Sequence, residues 1–238
     1  MESMKLEFIG CDICDSNDNN ILFSAKDYRY GHTEMFNFVK CSSCGLIYLN
    51  PRPIQDVIVK FYETDYTPEN EQDALPAPIT KTWKSFIVRF GRKIVGSYID
   101  EMVNLSHGKV LDIGCGNGYL FQLLKQKGCN VFGIEVNSNS VARCLKLKLD
   151  VFYGSLEEAH LPDRFFDTII FSQVLEHLPS PNKTLKEVNR ILKPCGKVFI
   201  YLPNPKSYLA KVFGKYWHGW HIPFHFYVLD KEIIKKGS

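Results

Sequence analysis

The chain has 238 residues, 45% hydrophobic and 23% charged, with a formal net charge of +3. That length suits one large domain or a domain plus a small module, and the composition is that of a globular chain rather than a disordered one. No run is apolar and long enough to span a bilayer, the start Met1-Glu2-Ser3-Met4-Lys5-Leu6-Glu7 does not read as a secretory leader, and so small a charge does not by itself imply nucleic acid.

Eight cysteines fall into two sets. Cys115, Cys129, Cys144 and Cys195 are scattered and are expected as small core or loop residues. The others form Cys11-x2-Cys14 and Cys41-x2-Cys44, with 26 residues between the pairs. Two such pairs fit one tetrahedral Zn(II) held by four thiolates. Disulfides would need an oxidising compartment that nothing in the chain suggests, and a redox C-x-x-C would open a helix and would not occur twice. Strand-like segments at Ile21–Ser24 and Met35–Val39 lie between the pairs, and Lys40-Cys41-Ser42-Ser43-Cys44-Gly45-Leu46 reads as a zinc knuckle. Residues 1–50 are therefore expected to form a zinc ribbon, too small to fold on hydrophobic burial alone. Its ligands would be Cys11, Cys14, Cys41 and Cys44. Four thiolates leave no open position, so the metal is structural and not catalytic. His32 is expected in a loop or on the surface rather than on the metal.

Asn50-Pro51-Arg52-Pro53 then punctuates the chain. A short helix is expected over Ile54–Tyr62 and an acidic, proline-bearing loop over 63–78. A longer amphipathic helix or helix pair follows at about Thr80–Asn104, with an apolar set that includes Trp83, Phe86, Phe90, Ile94, Tyr98 and Met102. Residues 51–105 thus read as a helical linker or cap, and residues 106–238 as the main domain.

That domain alternates regularly. Strands are expected at 109–113, 130–135, 150–153, 167–172 and 197–202, and helices at 118–127, 138–147 and 181–193, with Pro194-Cys195-Gly196-Lys197 ending the last helix. Apolar strands separated by helices argue a mostly parallel, doubly wound sheet. The first strand runs into Val110-Leu111-Asp112-Ile113-Gly114-Cys115-Gly116-Asn117-Gly118. Glycines let a backbone turn sharply and let a ligand come close, and a helix N-terminus behind them offers free N–H groups. Glu135 ends the second strand, where an acid can accept from two ribose hydroxyls. The loop reads as a nucleoside site; a dinucleotide site or a plain tight turn is the alternative.

The D-x-G-x-G-x-G pattern, with its acid at this distance, resembles the class I S-adenosylmethionine-dependent methyltransferases. The resemblance implies a Rossmann-like α/β sheet and S-adenosylmethionine as cofactor. The loop residues Asp112, Gly114, Cys115, Gly116 and Gly118 would then wrap the methionine part, and Glu135 would hold the ribose. It places Ser155 and Leu156, in Gly154-Ser155-Leu156-Glu157, beside the adenine, and Ser172 among the cofactor contacts at the end of the fourth strand. Ser172-Gln173-Val174-Leu175-Glu176-His177-Leu178 resembles the family's V-L-E-H segment, which makes His177 a candidate base or substrate-orienting group. Relatives with a divalent metal there carry a longer E-x-x-E-H pattern; Gln173 replaces its first acid, so no metal is expected at this place.

After the fifth strand comes Tyr216-Trp217-His218-Gly219-Trp220-His221-Ile222-Pro223-Phe224-His225. Aromatic faces stack on sugars or bases, and imidazoles bind or deprotonate; the alternative is an aromatic loop folded over the core. The segment resembles bacterial glycan and natural-product methyltransferases that also carry an N-terminal cysteine module. His225 and His177 are expected nearest the accepting atom, ahead of His218 and His221.

The expected function is methyl transfer to a small-molecule or sugar/glycan acceptor in the cytoplasm. The alternatives are an RNA methyltransferase using its zinc module for recognition, or an inactive cofactor-binding scaffold. Residues 1–105 carry 11 basic and 15 acidic groups, so the module lacks the basic stripe that RNA would require, and nucleic acid is not expected. Only 36 residues follow Leu202. The two further strands of the family's seven-stranded sheet are expected to be missing from a shortened chain, with an oligomer partner or an absent C-terminal segment covering strand 197–202. Asp230 reads as the N-cap of a last helix.

Overall fold

The computed structural model describes residues 4–27, 34–55, 57–58 and 98–237. The strands are β1 (Leu6–Glu7), β2 (Asn19–Lys26), β3 (Met35–Cys41), β4 (Ile47–Leu49), β5 (Arg52–Pro53), β6 (Lys109–Ile113), β7 (Asn130–Glu135), β8 (Val151–Tyr153), β9 (Phe166–Ser172), β10 (Leu192–Tyr201) and β11 (Tyr227–Val228). Besides a helical stretch at 98–105, the helices are α1 (Tyr119–Gln126), α2 (Ser138–Lys146), α3 (Pro181–Ile191), α4 (Tyr208–Phe213) and α5 (Lys231–Gly237), with three-residue 3-10 turns at Leu175–His177, Gly214–Tyr216 and His218–Trp220. Contacts divide the described residues into two compact units. One takes in those within 1–65, 172–190 and 200–238; the other takes in those within 66–171 and 191–199.

The second unit is built on a five-stranded sheet in the order β10-β9-β6-β7-β8. Strands β6 to β9 are parallel, with Val110 opposite both Val131 and Thr168. Phe165 N–H donates to Ile191 O, and Gln173 N–H to Tyr201 O, so β10 runs the same way as β9. The order reverses between β6 and β9, which makes their carboxyl ends the switch point where such sheets bind ligands. Val110, Leu111, Ile169 and Ile170 are buried because helices cover the strands. Leu120, Phe121 and Leu124 form the buried stripe of α1, and Met102 and Val103 reach the same core from a helix at 98–105. Asn137 caps α2 by accepting from Ser140 N–H.

The expected strands and helices here match to within a residue or two, with one correction. The helix expected over 181–193 stops at Ile191, and the strand expected at 197–202 begins at Leu192 and ends at Tyr201. Pro194 drives residue 193 out of the helical region, and extended pairing starts at once.

The first unit contains a four-stranded antiparallel sheet, β11-β4-β3-β2, and the pair β1-β5. Strands β2 and β3 span the two segments expected between the cysteine pairs, with a bulge between Ile21 and Phe23. The segment after β10 supplies the fourth strand: Tyr227 pairs with Tyr48 and Val228 with Ile47. Phe36, Phe38, Tyr48, Phe224, Phe226 and Tyr227 are buried in this unit. Asp230 caps α5, its Oδ1 accepting from Glu232 N–H and Ile233 N–H. Residues 55, 57 and 58 are helical. The rest of the helix expected to Tyr62, the loop at 63–78, the helix over 80–97 and His32 lie outside the described residues. Among the described residues no helix is long and apolar enough to cross a membrane.

Candidate active site

The glycine loop closes on the end of β7. Gly114 N–H and Cys115 N–H both donate to Ile134 O. Gly114, Gly116 and Gly118 all have positive φ, at 66°, 52° and 77°, a region that costs any residue with a Cβ. A Cβ at Gly118 would run into Leu149 and Cys144, whereas a Cβ at Gly116 would meet nothing within 4 Å. Gly118 is thus a packing glycine, and Gly116 keeps a space open.

Glu135 is buried, and its carboxylate turns onto the loop. Oε2 accepts from Gly116 N–H at 2.8 Å, and Oε1 accepts from Val136 N–H and Asn137 N–H, each at 2.8 Å. Three of the four lone-pair positions of a carboxylate are therefore used within the protein. Burial raises its pKa, and those three N–H groups oppose the shift. Asp112, at 2% exposure, lies at the foot of the loop, and its Oδ2 has no hydrogen-bond partner among the described residues. Burial, then the nearby charges of Glu135 and Cys144, push its pKa from 3.8 up to about 8. Asn117 is buried with both ends of its amide unmatched. Sequence reasoning missed Asn117, although it stands between two of the three glycines.

Unmatched buried polar atoms beside an open Gly116 fit a polar ligand carrying a cation and hydrogen-bonding groups, such as the amino-acid end of S-adenosylmethionine. The same burial makes a prediction for the ligand-free protein. Folded Asp112 keeps its proton up to about pH 8, while an unfolded one loses it near 3.8. Stability should therefore fall as pH rises through that window and level off above it. Glu176, pushed to about 8 by burial, adds in the same sense. Asp112→Asn should remove part of the slope and stabilise the ligand-free protein at pH 8 by about 1–3 kcal/mol. Urea unfolding at pH 5 and pH 8 checks this; an unchanged slope would contradict it.

Leu156 is buried. Ser155 donates from both its N–H and its Oγ to Glu158 Oε2, the Ser-x-x-Glu arrangement of a capping box. Ser172 is the last residue of β9.

In the other unit, the chain after β9 makes its 3-10 turn and presents Glu176 and His177. One ligand-type atom from each of Glu176, His177 and His225 lies within 4.8 Å of the other two. The His177 and His225 rings meet edge to face at 4.5 Å, with His221 4.9 Å from His225. Nδ1 of His177 is 3.0 Å from Phe224 O, and Nδ1 of His225 is 2.8 Å from Gly219 O. Burial, then the neighbouring imidazoles, bring His177 down to about 3 and His225 well below its usual value. Glu176 is 1% exposed, and neither oxygen has a hydrogen-bond partner among the described residues. The sequence places it in the V-L-E-H segment, directly before His177, but assigns it no role of its own.

Trp220 is spent on packing. Its ring lies 4.7 Å from Phe23 and 4.9 Å from Phe38, and its Nε1–H donates to Gly214 O. It anchors the histidine loop to β2 and β3 rather than offering a free face for stacking.

The four cysteines of the two pairs also converge, with each sulfur within 4.8 Å of the others. Sγ of Cys11 is 3.4 Å from that of Cys44, and Sγ of Cys14 is 3.6 Å from that of Cys41. A tetrahedral zinc with Zn–S near 2.3 Å sets sulfurs about 3.8 Å apart, so the set fits one ion. None of the four is in a disulfide. Burial works against ionisation of Cys41, but the N–H groups of Cys44 and Ser43 and the adjoining thiols bring it down to about 6.

The parallel sheet, its switch point and the three-glycine loop define a Rossmann-like α/β nucleoside-binding fold. A family model described as a methyltransferase domain matches residues 86–236. That is more than half of the sequence, and the chain belongs to the methyltransferase-domain family. Over 127 residues it is 36% identical to the ubiquinone biosynthesis O-methyltransferase of Pseudomonas aeruginosa strain UCBPP-PA14, and 35% identical to that of Pseudomonas entomophila strain L48. Each match covers 50% of this chain and 55% of the relative, so the chain spans about half the length of these relatives. Among solved structures, a SAM-dependent methyltransferase from Archaeoglobus fulgidus is similar, with a TM-score of 0.52 and 27% identity over 61% of this chain and 66% of that one.

Proposed function

We propose that this protein transfers the methyl group of S-adenosylmethionine to a small-molecule or sugar/glycan acceptor, and that its cysteine module holds one structural zinc. The observation that carries the first part is the glycine loop: buried Asp112 and Asn117 with unmatched polar atoms, next to the open position at Gly116, in a methyltransferase-domain chain. When bound, the cofactor supplies an electrophilic methyl on a sulfonium, open to in-line displacement.

The residues divide the work. Asp112 receives the ammonium of the methionine end, and Cys115 and the three glycines shape the loop around that end. Glu135 fixes the loop and offers its remaining lone pair to a ribose hydroxyl. Ser155 and Leu156 border the adenine, and Ser172 completes the contacts at the end of β9. His177 and His225 face the acceptor, neutral at pH 7, and one of them takes its proton. Glu176, kept protonated at pH 7 by burial, borders both rings and can face the resulting imidazolium as a carboxylate only once it gives up its own proton, toward pH 8. Such reluctant bases suit an acceptor hydroxyl that is already acidic. Oxygen is therefore the atom we favour, in keeping with the printed name of the Pseudomonas relatives. Cys11, Cys14, Cys41 and Cys44 hold zinc with no open position, a structural role.

The test separates cofactor from acceptor. Titration calorimetry should detect S-adenosylmethionine binding in the wild type. His177→Ala and His225→Ala should each leave that affinity intact and cut the release of S-adenosylhomocysteine, over a panel of phenolic and sugar acceptors, by roughly 10²-fold or more. Wild-type turnover in both variants would remove the histidines from the mechanism.

A further inference from the structure

We propose that Asp12, inside the Cys11-x2-Cys14 turn, is a positioning residue that makes the cysteine module the scaffold of the Glu176–His177–His225 cluster. The inference rests on the reading of those histidines as acceptor-side groups.

Asp12 reaches across 168 to 170 positions of sequence. Its Oδ1 accepts from Ser180 Oγ at 2.5 Å, and its Oδ2 accepts from Asn182 N–H at 2.7 Å. Its backbone oxygen accepts from Asn182 Nδ2 at 2.9 Å. Asn182 is the second residue of α3, so Asp12 supplies the side-chain cap of that helix from outside, with a negative charge at the positive end of the helix dipole. His177 lies only four residues before Pro181, where α3 begins. The carbonyl between them is also held: Pro179 O accepts from Arg52 Nη1–H at 2.8 Å and from Tyr227 O–H at 3.0 Å. Arg52 is itself paired with Glu7 at 2.8 Å.

The segment bearing the second histidine hangs on the same module. Phe226 N–H donates to Glu176 O, and Leu49 N–H donates to Phe226 O. Tyr227 then pairs with Tyr48. Both histidine segments are therefore fixed by residues 7–52. The turn that carries Asp12 is closed by Asp15 N–H to Cys11 O and by Cys11 N–H to Ser16 O. Two of the four cysteines bracket it, so an ion bound there stiffens the turn whose carboxylate caps α3. The ion need not touch the acceptor to decide whether His177 faces it correctly.

The experiment uses the full chain and reads more than turnover. Asp12→Ala and, from the opposite side, Ser180→Ala are compared with the wild type for bound zinc, cofactor affinity, amide exchange at Asn182 and the ¹⁵N imidazole signals of His177 and His225. Ser180→Ala leaves the cysteine turn untouched and guards against misfolding of the first variant; Asp12→Asn, which keeps an acceptor oxygen, should rescue in part. Both alanine variants are expected to keep zinc and cofactor affinity. Exchange at Asn182 should quicken, by about tenfold or more in Asp12→Ala, the scale set by losing a charge-assisted bond. The His177 signal should shift, with a fall in kcat and little change in KM. Removing zinc with a chelator should move the same signals. Native His177 signals and Asn182 exchange in zinc-loaded Asp12→Ala would overturn the proposal. Because the exchange and imidazole readings need no acceptor, they decide the point even if the wild type shows no turnover.

Discussion

Glu135→Ala is expected to lower the unfolding free energy by about 2–3 kcal/mol and to weaken S-adenosylmethionine binding by about 100-fold, because it takes the acceptor from three N–H groups at once, the Asn137 one buried. Gly116, Val136 and Asn137 each donate to this one carboxylate at 2.8 Å. The loop that Gly116 belongs to has few other ties: Gly114 and Cys115 share Ile134 O, Gly118 N–H reaches Cys115 O, and Cys144 Sγ donates to Gly116 O. Glu135→Gln should fall between. A glutamine oxygen can still serve Val136 and Asn137, but its amide then confronts Gly116 N–H, donor against donor. Urea unfolding and titration calorimetry on the two variants give the ranking. An alanine variant with wild-type stability and affinity would remove Glu135 from both roles.

The second large effect is expected from the cysteines. Zinc analysis should find about one ion per chain, and Cys41→Ser should abolish it, since three thiolates bind far more weakly than four. Unit one should then lose its cooperative melt, while the affinity of the glycine loop for S-adenosylmethionine changes little. Reduced wild-type protein, purified without chelator and found free of metal, would refute the zinc reading. The strands around the cysteines bury Phe36, Phe38 and Tyr48, so the metal-free module should collapse to a looser state rather than unravel completely.

The sheet was readable because several signals agreed along β6 to β9: apolar strand runs, helices with a 3.6 period, and glycines at fixed places. The junction of α3 and β10 was read too loosely. Pro194, Cys195 and Gly196 look like a loop in sequence, yet they fall within the span of β10, which Cys195 interrupts locally with a left-handed φ of 63°. Strand β11 was out of reach: two residues carry no periodicity, and their partners Ile47 and Tyr48 lie about 180 positions earlier. In the site, the glycines and cysteines announced themselves by spacing. Asp12 and Glu176 did not stand out as site residues, because one sits inside a cysteine turn and the other, though part of the V-L-E-H segment, is set apart by its burial. Trp220 shows the opposite failure: its residue type suggested ligand stacking, and packing against Phe23 and Phe38 claimed it.

The pairing of β11 with β4 bears on how the chain can be made. The cysteine-module sheet starts within the first fifty residues, yet its fourth strand is Tyr227–Val228. During synthesis the module waits, open on one edge, while the whole parallel sheet emerges between its halves. Contacts of such sequence separation form late and slowly. The nascent thiol set therefore spends that interval in an unfinished fold, exposed to oxidation and to edge-to-edge pairing. Early capture of zinc by the two knuckles would protect it until residue 228 arrives.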